Sequence, residues 1–528
     1  MPTPPAQPLQ IGSREGKWVL FATILSSSMS FLDSTVVNVA LPTLQRDFRA
    51  ELSSVAWVVD AYVLTLTAFI LLGGSFGDIF GRRRALRLGL VVFTTGSMLC
   101  GLAPTLFLLD VARGIQGIGG ALLVPSSLAI LTASFDPSER GRAIGLWASL
   151  SGIGAAIGPL AGGLIVDAIS WRGIFFLNLP IAVFVFLVAL PKVPESRDEE
   201  AVRHIDLPGA AIAAVFLGGL TFALIEGSTL GWTSPAVLAG FAIGGLGFVA
   251  FITAERRARQ PMVPLAIFAN RTFSAVNVAT LVIYAALAGA ALYLVLDVQQ
   301  ARGFSAVAAG ASLLPLTGLL LIGSPIAGRL ADRVGPRIPM TFGPAVAGIG
   351  LLVAAATAHV PSYWMSVFPS ALIFAAGLAL TVAPLTTAVL SALGPRRAGI
   401  ASGVNSAISR FGGLVAVAIL PALSLAGFTH GLEQRLADAS VDPAIRTEVV
   451  ADRAEQGALA APAHLPPAER AEIHTIVQQA SGDGFRWVMV VCALLLFAGA
   501  AISYVELSPD MRATDHAVGA ERSGDPPE

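Results

Sequence analysis

Of the ionisable residues that stand inside long apolar runs of this chain, Asp33, Asp60 and Arg113 are the first candidates for chemistry. A charge near the centre of a membrane-spanning helix costs about 2.5–3.5 kcal/mol on insertion scales, so such a residue usually faces a polar cavity. A carboxylate withdrawn from water can bind and release a proton near neutral pH, and a nearby arginine holds it ionised. Reversible protonation is therefore the chemistry this set offers. Asp33 lies fifteen residues beyond Trp18, where its run begins, which is about 22 Å along a helix rising 1.5 Å per residue. That depth is at or somewhat beyond mid-membrane. Asp60 enters from the outer end of the second run and Arg113 from the outer end of the fourth, so the three are expected at one level. The competing expectations are a solvated place near an outer vestibule for Asp60 and a plain hydrogen bond to a neighbouring helix for Asp33.

Other residues offer less. Glu226 and Asp297, at the outer ends of their runs, are secondary proton candidates whose plainer reading is interfacial, and Arg410 either lines a cavity or braces a helix. All six histidines fall outside the apolar runs, so imidazole relay is not expected and carboxylates must carry any proton traffic. The two cysteines, Cys100 and Cys492, sit in apolar runs without metal spacing. No nucleophile and base can be paired and no metal cluster assembled, so no catalytic residue, metal or organic cofactor is expected and an enzyme is the least favoured class. The glycines of Gly114-Ile115-Gln116-Gly117-Ile118-Gly119-Gly120 superficially resemble a phosphate cradle, but no strand precedes them and they lie inside an apolar run. No nucleotide-binding motif supplies ATP as an energy source, and nothing points to nucleic acid.

The elements that must position these residues follow from composition. The chain has 528 residues, 55% hydrophobic and 13% charged, where a soluble domain carries about a quarter charged residues. It reads as an all-α integral membrane protein. Fourteen runs are long enough to span: near 18–41, 55–76, 85–103, 107–131, 143–169, 174–190, 207–226, 235–253, 274–297, 307–330, 338–358, 364–388, 400–427 and 486–505. If the N-terminus is cytoplasmic, that side receives 22 of the 33 Lys and Arg residues, so the positive-inside rule places both termini in the cytoplasm. The first stretch is polar and Pro-rich and carries no recognisable signal peptide. Arginine outnumbers lysine 31 to 2, which suggests a GC-rich bacterial genome and hence a multi-pass protein of the bacterial inner membrane. The expected parts are a cytoplasmic tail 1–17, a six-helix half 18–190, a linker 191–206, two extra spans 207–253, a linker 254–273, a second six-helix half 274–505 and a disordered tail 506–528. The second half contains a long outer loop, 428–484, with nine acidic residues against four arginines, expected as a solvated cap that could hold short amphipathic helices.

An internal repeat links the halves. Gly77-Asp78-Ile79-Phe80-Gly81-Arg82-Arg83 follows the second run, and Ala331-Asp332-Arg333-Val334-Gly335-Pro336-Arg337 follows the tenth, 254 residues later. Such repetition is typical of transporters whose halves rock about a central site. The chain is similar to the major facilitator superfamily, and in particular to its fourteen-span drug:proton antiporters. The likeness rests on Leu32-Asp33-Ser34-Thr35-Val36-Val37-Asn38-Val39-Ala40-Leu41-Pro42, on Gly74-Ser75-Phe76-Gly77-Asp78-Ile79-Phe80-Gly81-Arg82-Arg83 and on Arg113-Gly114-Ile115-Gln116-Gly117. It continues through Gly154-Ala155-Ala156-Ile157-Gly158-Pro159-Leu160-Ala161-Gly162-Gly163 and Trp171-Arg172-Gly173-Ile174-Phe175-Phe176-Leu177-Asn178-Leu179-Pro180. Ile79 departs from the basic residue the family carries there.

The resemblance implies the major facilitator fold, with two six-helix halves and two inserted helices. It implies a proton-coupling role for Arg113 and adds Asn38 and Gln116 to the candidate cavity set. It makes a cytoplasmic gate of Gly74, Asp78, Gly81, Arg82 and Arg83 with Asp332, Arg333 and Arg337, although these arginines also serve topology. Gly154, Gly158 and Gly162 recur every fourth residue beside Gly163 and Pro159, a spacing that lets another helix approach closely; the resemblance associates that face with exporters. The expectation is a monomeric, proton-driven antiporter of hydrophobic, cationic or amphipathic small molecules, with protons, substrate and lipid as its partners. The rivals are an exporter dedicated to one metabolite, lipid precursor or self-made antibiotic, uptake by symport, and a non-transporting membrane sensor or scaffold.

Overall fold

In lipid every backbone N–H and C=O must be satisfied within the protein, so apolar runs of this length become helices. The computed structural model describes residues 9–507 apart from 198–205, 259–260, 262, 264, 394–397, 440, 454–455, 457–458, 460 and 463. The tail 508–528, most of the linker at 198–205 and the side chain of Asp332 thus lie outside the described residues. No strand occurs among those described, and one isolated bridge pairs Leu9 with Phe135. Among the described residues, thirteen helices are long and apolar enough to cross a membrane. They coincide with thirteen of the fourteen expected spans; the other, 143–169, belongs to the helix Pro137–Ala168, of which Ile157–Ala168 is described as an apolar stretch.

The chain divides into two compact units. The first comprises Met1–Met262 with Gly303–Ala311, and the second Val263–Arg302 with Ser312–Glu528. In the first unit run α1 (Arg14–Phe48), α2 (Leu52–Phe80), α3 (Arg82–Leu102), α4 (Leu106–Ser134), α5 (Pro137–Ala168), α6 (Gly173–Lys192), α7 (Leu207–Leu230) and α8 (Pro235–Arg257). Ser13, Thr105, Asp206 and Ser234 cap α1, α4, α7 and α8, each accepting from an otherwise orphaned amide of the first turn. Helix α6 is not continuous: its α-helical turns break at Leu177 and pass into a wider turn at Val185–Ala189. The main packings are α2 and α3 against α4, α1 against α5, and α7 against α8 and α2. Val19, Met29, Leu66, Phe93, Leu123 and Ile130 fill the core between them.

The second unit holds α9 (Arg271–Leu296), α10 (Leu314–Val334), α11 (Arg337–Ala356), α12 (Val367–Leu393), α13 (Ala398–Asp438) and α14 (Pro467–Glu506). Here the structure revises the expected loop 428–484. Helix α13 runs on to Asp438, α14 begins at Pro467, and a short helix Pro443–Ala451 lies between them. Phe428, Leu432 and Leu436 from α13 meet Ile473, Ile476, Val477 and Ala480 from α14 and Val449 from the short helix. These residues recur every three or four positions and form apolar stripes, so the segment builds its own small core instead of a solvated cap.

Candidate functional site

Asp33 is fully buried at the centre of the first unit. Its Oδ2 is ion-paired with Arg113, and its Oδ1 accepts from Gln116 Nε2 at 2.7 Å and Asn178 Nδ2 at 3.3 Å. Arg113 is engaged in turn on every side. Its Nε donates to the Val58 carbonyl at 2.7 Å, one NH donates to Gln116 Oε1 at 2.7 Å, and its guanidinium stacks 4.3 Å from the Tyr62 ring centroid. Ser97 Oγ accepts from both Gln116 (3.2 Å) and Asn178 (3.0 Å) while donating to the Phe175 carbonyl at 2.8 Å. Five helices thus supply one network: α1, α2, α3, α4 and α6.

Local structure explains these reaches. Arg113 and Gln116 stand three apart on α4 and so share a face. The break at Leu177, followed by Pro180, which has no amide to give, turns Asn178 toward α1. A buried ion pair is tolerable only when its remaining lone pairs and protons find partners; here both Asp33 oxygens accept, and Nε and one NH of Arg113 donate, while Asn178 Oδ1 is left without a partner among the described residues.

Asp60 does not join this cluster, contrary to the expected trio. It is fully buried, which overturns the solvated-vestibule alternative, and neither carboxyl oxygen has a hydrogen-bond partner among the described residues. The reason is helical phase. Val58, Tyr62 and Thr65 point at α4, where Thr65 Oγ1 donates to Gly114 O at 2.8 Å. Asp60 lies about 200° around the axis from Val58 at 100° per residue, on the stripe of Ser53, Trp57 and Leu64 that faces α7.

The family follows from comparison with known proteins. The family model described as the Major Facilitator Superfamily matches residues 23–417. The chain belongs to that superfamily. It is 35% identical over 90% of its length to the multidrug resistance protein Stp of Mycobacterium tuberculosis, of which it covers 89%. It is 36% identical over 77% of its length to a methylenomycin A resistance protein of Bacillus subtilis, of which it covers 87%. The tetracenomycin C resistance and export protein of Streptomyces glaucescens is 29% identical over 96% of this chain and 94% of its own. A crystal structure of a bacterial homologue of the human lysosomal transporter Spinster, inward-facing and unoccupied, has a similar fold, with a TM-score of 0.62, 94% of this chain and 98% of that one covered, and 18% identity. This is a transporter family, and the chain is a multi-pass transporter of small molecules and not an enzyme.

The remaining expected positions of this major facilitator protein are distributed as follows. Asn38 is half-buried and its side chain has no hydrogen-bond partner among the described residues. Glu226 is half-buried and accepts from Trp57 Nε1 at 3.2 Å. Asp297 is not a simple interfacial acid: it is buried and paired with Arg302 at 2.7 Å. Arg410 is half-buried beside Tyr284. At the end of α2, Asp78 holds Arg82 of α3 at 2.8 Å, with Gly74 one turn earlier on α2. Gly81 has φ +110°, a conformation a side chain would strain, and Arg83 donates to the Val193 carbonyl at 2.9 Å. In the second copy Arg333 is exposed, while Arg337 donates to Tyr504 O at 3.0 Å and stacks on its ring.

The small-residue face of α5 packs on α1, as its spacing suggests. A methyl group at Gly154 would lie 3.1 Å from Ser28 O, one at Gly158 would meet Thr35, and one at Gly162 would approach Val36 Cγ2 to 2.7 Å. Pro159 and Gly163 instead touch the short helix Ala306–Ser312, and a methyl at Gly163 would overlap the Ala306 carbonyl.

Four contributors escaped the sequence reading. Asn178 belongs to the Trp171–Pro180 stretch, and an amide inside an apolar run is the sequence signal it offers. Asp110 stands one turn before Arg113 on α4, half-buried, with one carboxyl oxygen unpartnered. Glu195 caps α3 by accepting from Arg83 N at 3.0 Å, a long-range contact with no local signature. Asn405 donates to Thr280 Oγ1 at 2.7 Å and Asn277 Oδ1 at 3.1 Å, joining α13 to α9 inside the second unit.

Proposed function

We propose that this protein is an efflux transporter of hydrophobic, cationic or amphipathic drugs, driven by protons that enter in exchange. The names of its relatives, which speak of multidrug resistance and of antibiotic resistance and export, support the drug-efflux part. The single observation that carries the coupling is the buried Asp33–Arg113 pair with its amide clamp. A proton arriving on Asp33 cancels the charge that holds Arg113. The guanidinium keeps the Val58 carbonyl, Gln116 Oε1 and the Tyr62 ring but loses its counter-ion, so α1 loses its ionic tie to α4 at one step. That is the local change a rocking transporter needs, since bistable packing amplifies it. Asp60, buried without a partner, serves as a second proton-binding position.

In this reading the proton gradient is the energy source and no cofactor takes part. The protein works as a monomer in the bacterial inner membrane, both termini cytoplasmic, with the Asp78 and Asp332 loops gating the inner side. The test is efflux of ethidium from proteoliposomes under an imposed pH gradient. Ethidium movement that follows the sign of the gradient in the wild type and no longer follows it in Asp33→Asn supports the proposal. Wild-type movement indifferent to the gradient, or movement in Asp33→Asn that follows the gradient as the wild type does, refutes it.

A second reading, export of one self-made antibiotic, is favoured by the relative whose printed name couples resistance with export of tetracenomycin C. A panel of chemically unrelated cations and antibiotics separates the two: one substrate accepted and the rest refused selects the dedicated exporter.

A further inference from the structure

The seam between α2 and the inserted helix α7 carries acids that the central network does not use. At its expected outer end Glu51 Oε2 accepts from Ser53 Oγ (3.3 Å) and Thr229 Oγ1 (3.2 Å), and the two hydroxyls lie 3.1 Å apart. Glu51 and Thr229 also line an open cavity of about 570 Å³, together with Arg49, Ser54 and Thr105. One step further in, Glu226 of α7 accepts from Trp57 Nε1 of α2. The pairings Ser53 with Thr229, Trp57 with Glu226 and Leu64 with Gly218 fix one antiparallel register. In it Asp60 faces Phe222 and Ala223, and Glu226 lies three residues, about 4.5 Å, further out along the axis. Asp60 is fully enclosed, on the same stripe as Ser53 and Trp57, with neither oxygen bonded. An acid that binds nothing does not glue the seam. A buried polar group without a partner asks for a reason, and along the seam Glu51 and Glu226 lead toward it from the cavity.

We propose that this seam is the route by which protons reach Asp60, with Glu226 as the intermediate carrier; the inference rests on the antiport reading above. A proton taken up at the Glu51 cavity protonates the Glu226 carboxylate, which Trp57 holds toward α2. Glu226 then releases that proton through one or two waters to the Asp60 carboxylate and is itself left ionised, ready for the next. The charged groups facing Asp60 from the elements around it are few. Glu51 stands at the N-cap of α2, Glu226 comes from α7, and on the far side of α2 the α4 residues Asp110 and Arg113 are separated from it, Arg113 being occupied by Asp33 of α1. The inserted helix α7 is then a wall of the proton path.

The test uses the full chain in proteoliposomes with ethidium as substrate and a trapped pH-sensitive dye. Glu226→Gln is the informative change, because its side-chain oxygen still accepts from Trp57 Nε1 and the seam stays intact. Expected is a tenfold or greater fall in maximal proton movement per unit time, with the half-saturating ethidium concentration within twofold of wild type. Asp60→Asn falls at least as far. Glu226→Gln or Asp60→Asn moving protons at the wild-type rate overturns the route. A wild type that moves ethidium without moving protons overturns the antiport reading and the route with it, whereas wild-type coupling retained in Glu226→Gln removes the route alone.

Discussion

The sharpest consequence of the central network is that Asp33 and Arg113 should be costly to remove singly and cheap to remove together. Asp33→Asn keeps the shape of the side chain and one acceptor oxygen but leaves the guanidinium buried without a counter-ion. Breaking a buried pair this way costs about 3–5 kcal/mol. Because Arg113 retains the Val58 carbonyl, Gln116 Oε1 and the Tyr62 face, the loss belongs near the lower bound, about 3 kcal/mol. Arg113→Gln leaves a carboxylate with only the Gln116 and Asn178 amides and should cost about the same. Independent effects would sum to roughly 6 kcal/mol in the double variant, whereas two neutral amides facing each other should cost only about 2–3 kcal/mol, a coupling near 3 kcal/mol. Equilibrium unfolding in mixed detergent micelles, followed by tryptophan fluorescence, measures all four corners of the cycle. A coupling below about 0.5 kcal/mol would mean that the pair does not hold the five helices together.

Other parts of the molecule give shorter tests. Gly163→Ala should impair efflux and lower the melting temperature because its methyl meets the backbone carbonyl of Ala306, while Gly154→Ala, with 3.1 Å to Ser28 O, should stay near wild type in both. Equal effects of the two would show that the face tolerates any small residue. Glu195→Ala removes the acceptor for Arg83 N at the start of α3 and should cost about 1 kcal/mol in the same unfolding assay, as other helix-cap deletions do. Asp483 binds Arg435 and, at 3.0 Å, His359; Asp483→Asn should speed trypsin cleavage at Arg435 several-fold, and an unchanged cleavage pattern would count against the contact holding this region closed.

The span pattern and the central acid were legible in the sequence because each rests on a cost that lipid makes large. An unsatisfied backbone or an isolated charge cannot hide in hydrocarbon, so apolar length marked the helices and Asp33 marked the site. What composition could not supply was rotation. Depth along a helix can be counted, and Asp60 was placed at the level of Arg113; the face of α2 it occupies depends on which neighbours pack there. Glu195 and Asn405 were silent for a related reason: both act across long chain separations, and neither spacing nor residue type announces the partner. The acidic residues of 428–484 point to a solvated cap, although Leu432, Leu436, Ile473, Ile476 and Val477 have the helical spacing of a buried face.

The two buried aspartates of the first unit therefore teach different lessons about one cost. Asp33 offsets its desolvation with an arginine and two amides, which fixes it in place and makes its release a large mechanical event. Asp60 offsets nothing and remains buried all the same, so the fold tolerates it for a reason other than packing. A carboxylate that is clamped suits a switch, and one that is unclamped suits a transient proton store. If that division holds, Asp33→Asn should uncouple ethidium from protons with substrate movement surviving in either direction, whereas Asp60→Asn should slow both fluxes together while their ratio stays fixed. Simultaneous measurement of the two fluxes in one vesicle preparation separates these outcomes, and the same ratio change in both variants would collapse the two roles into one.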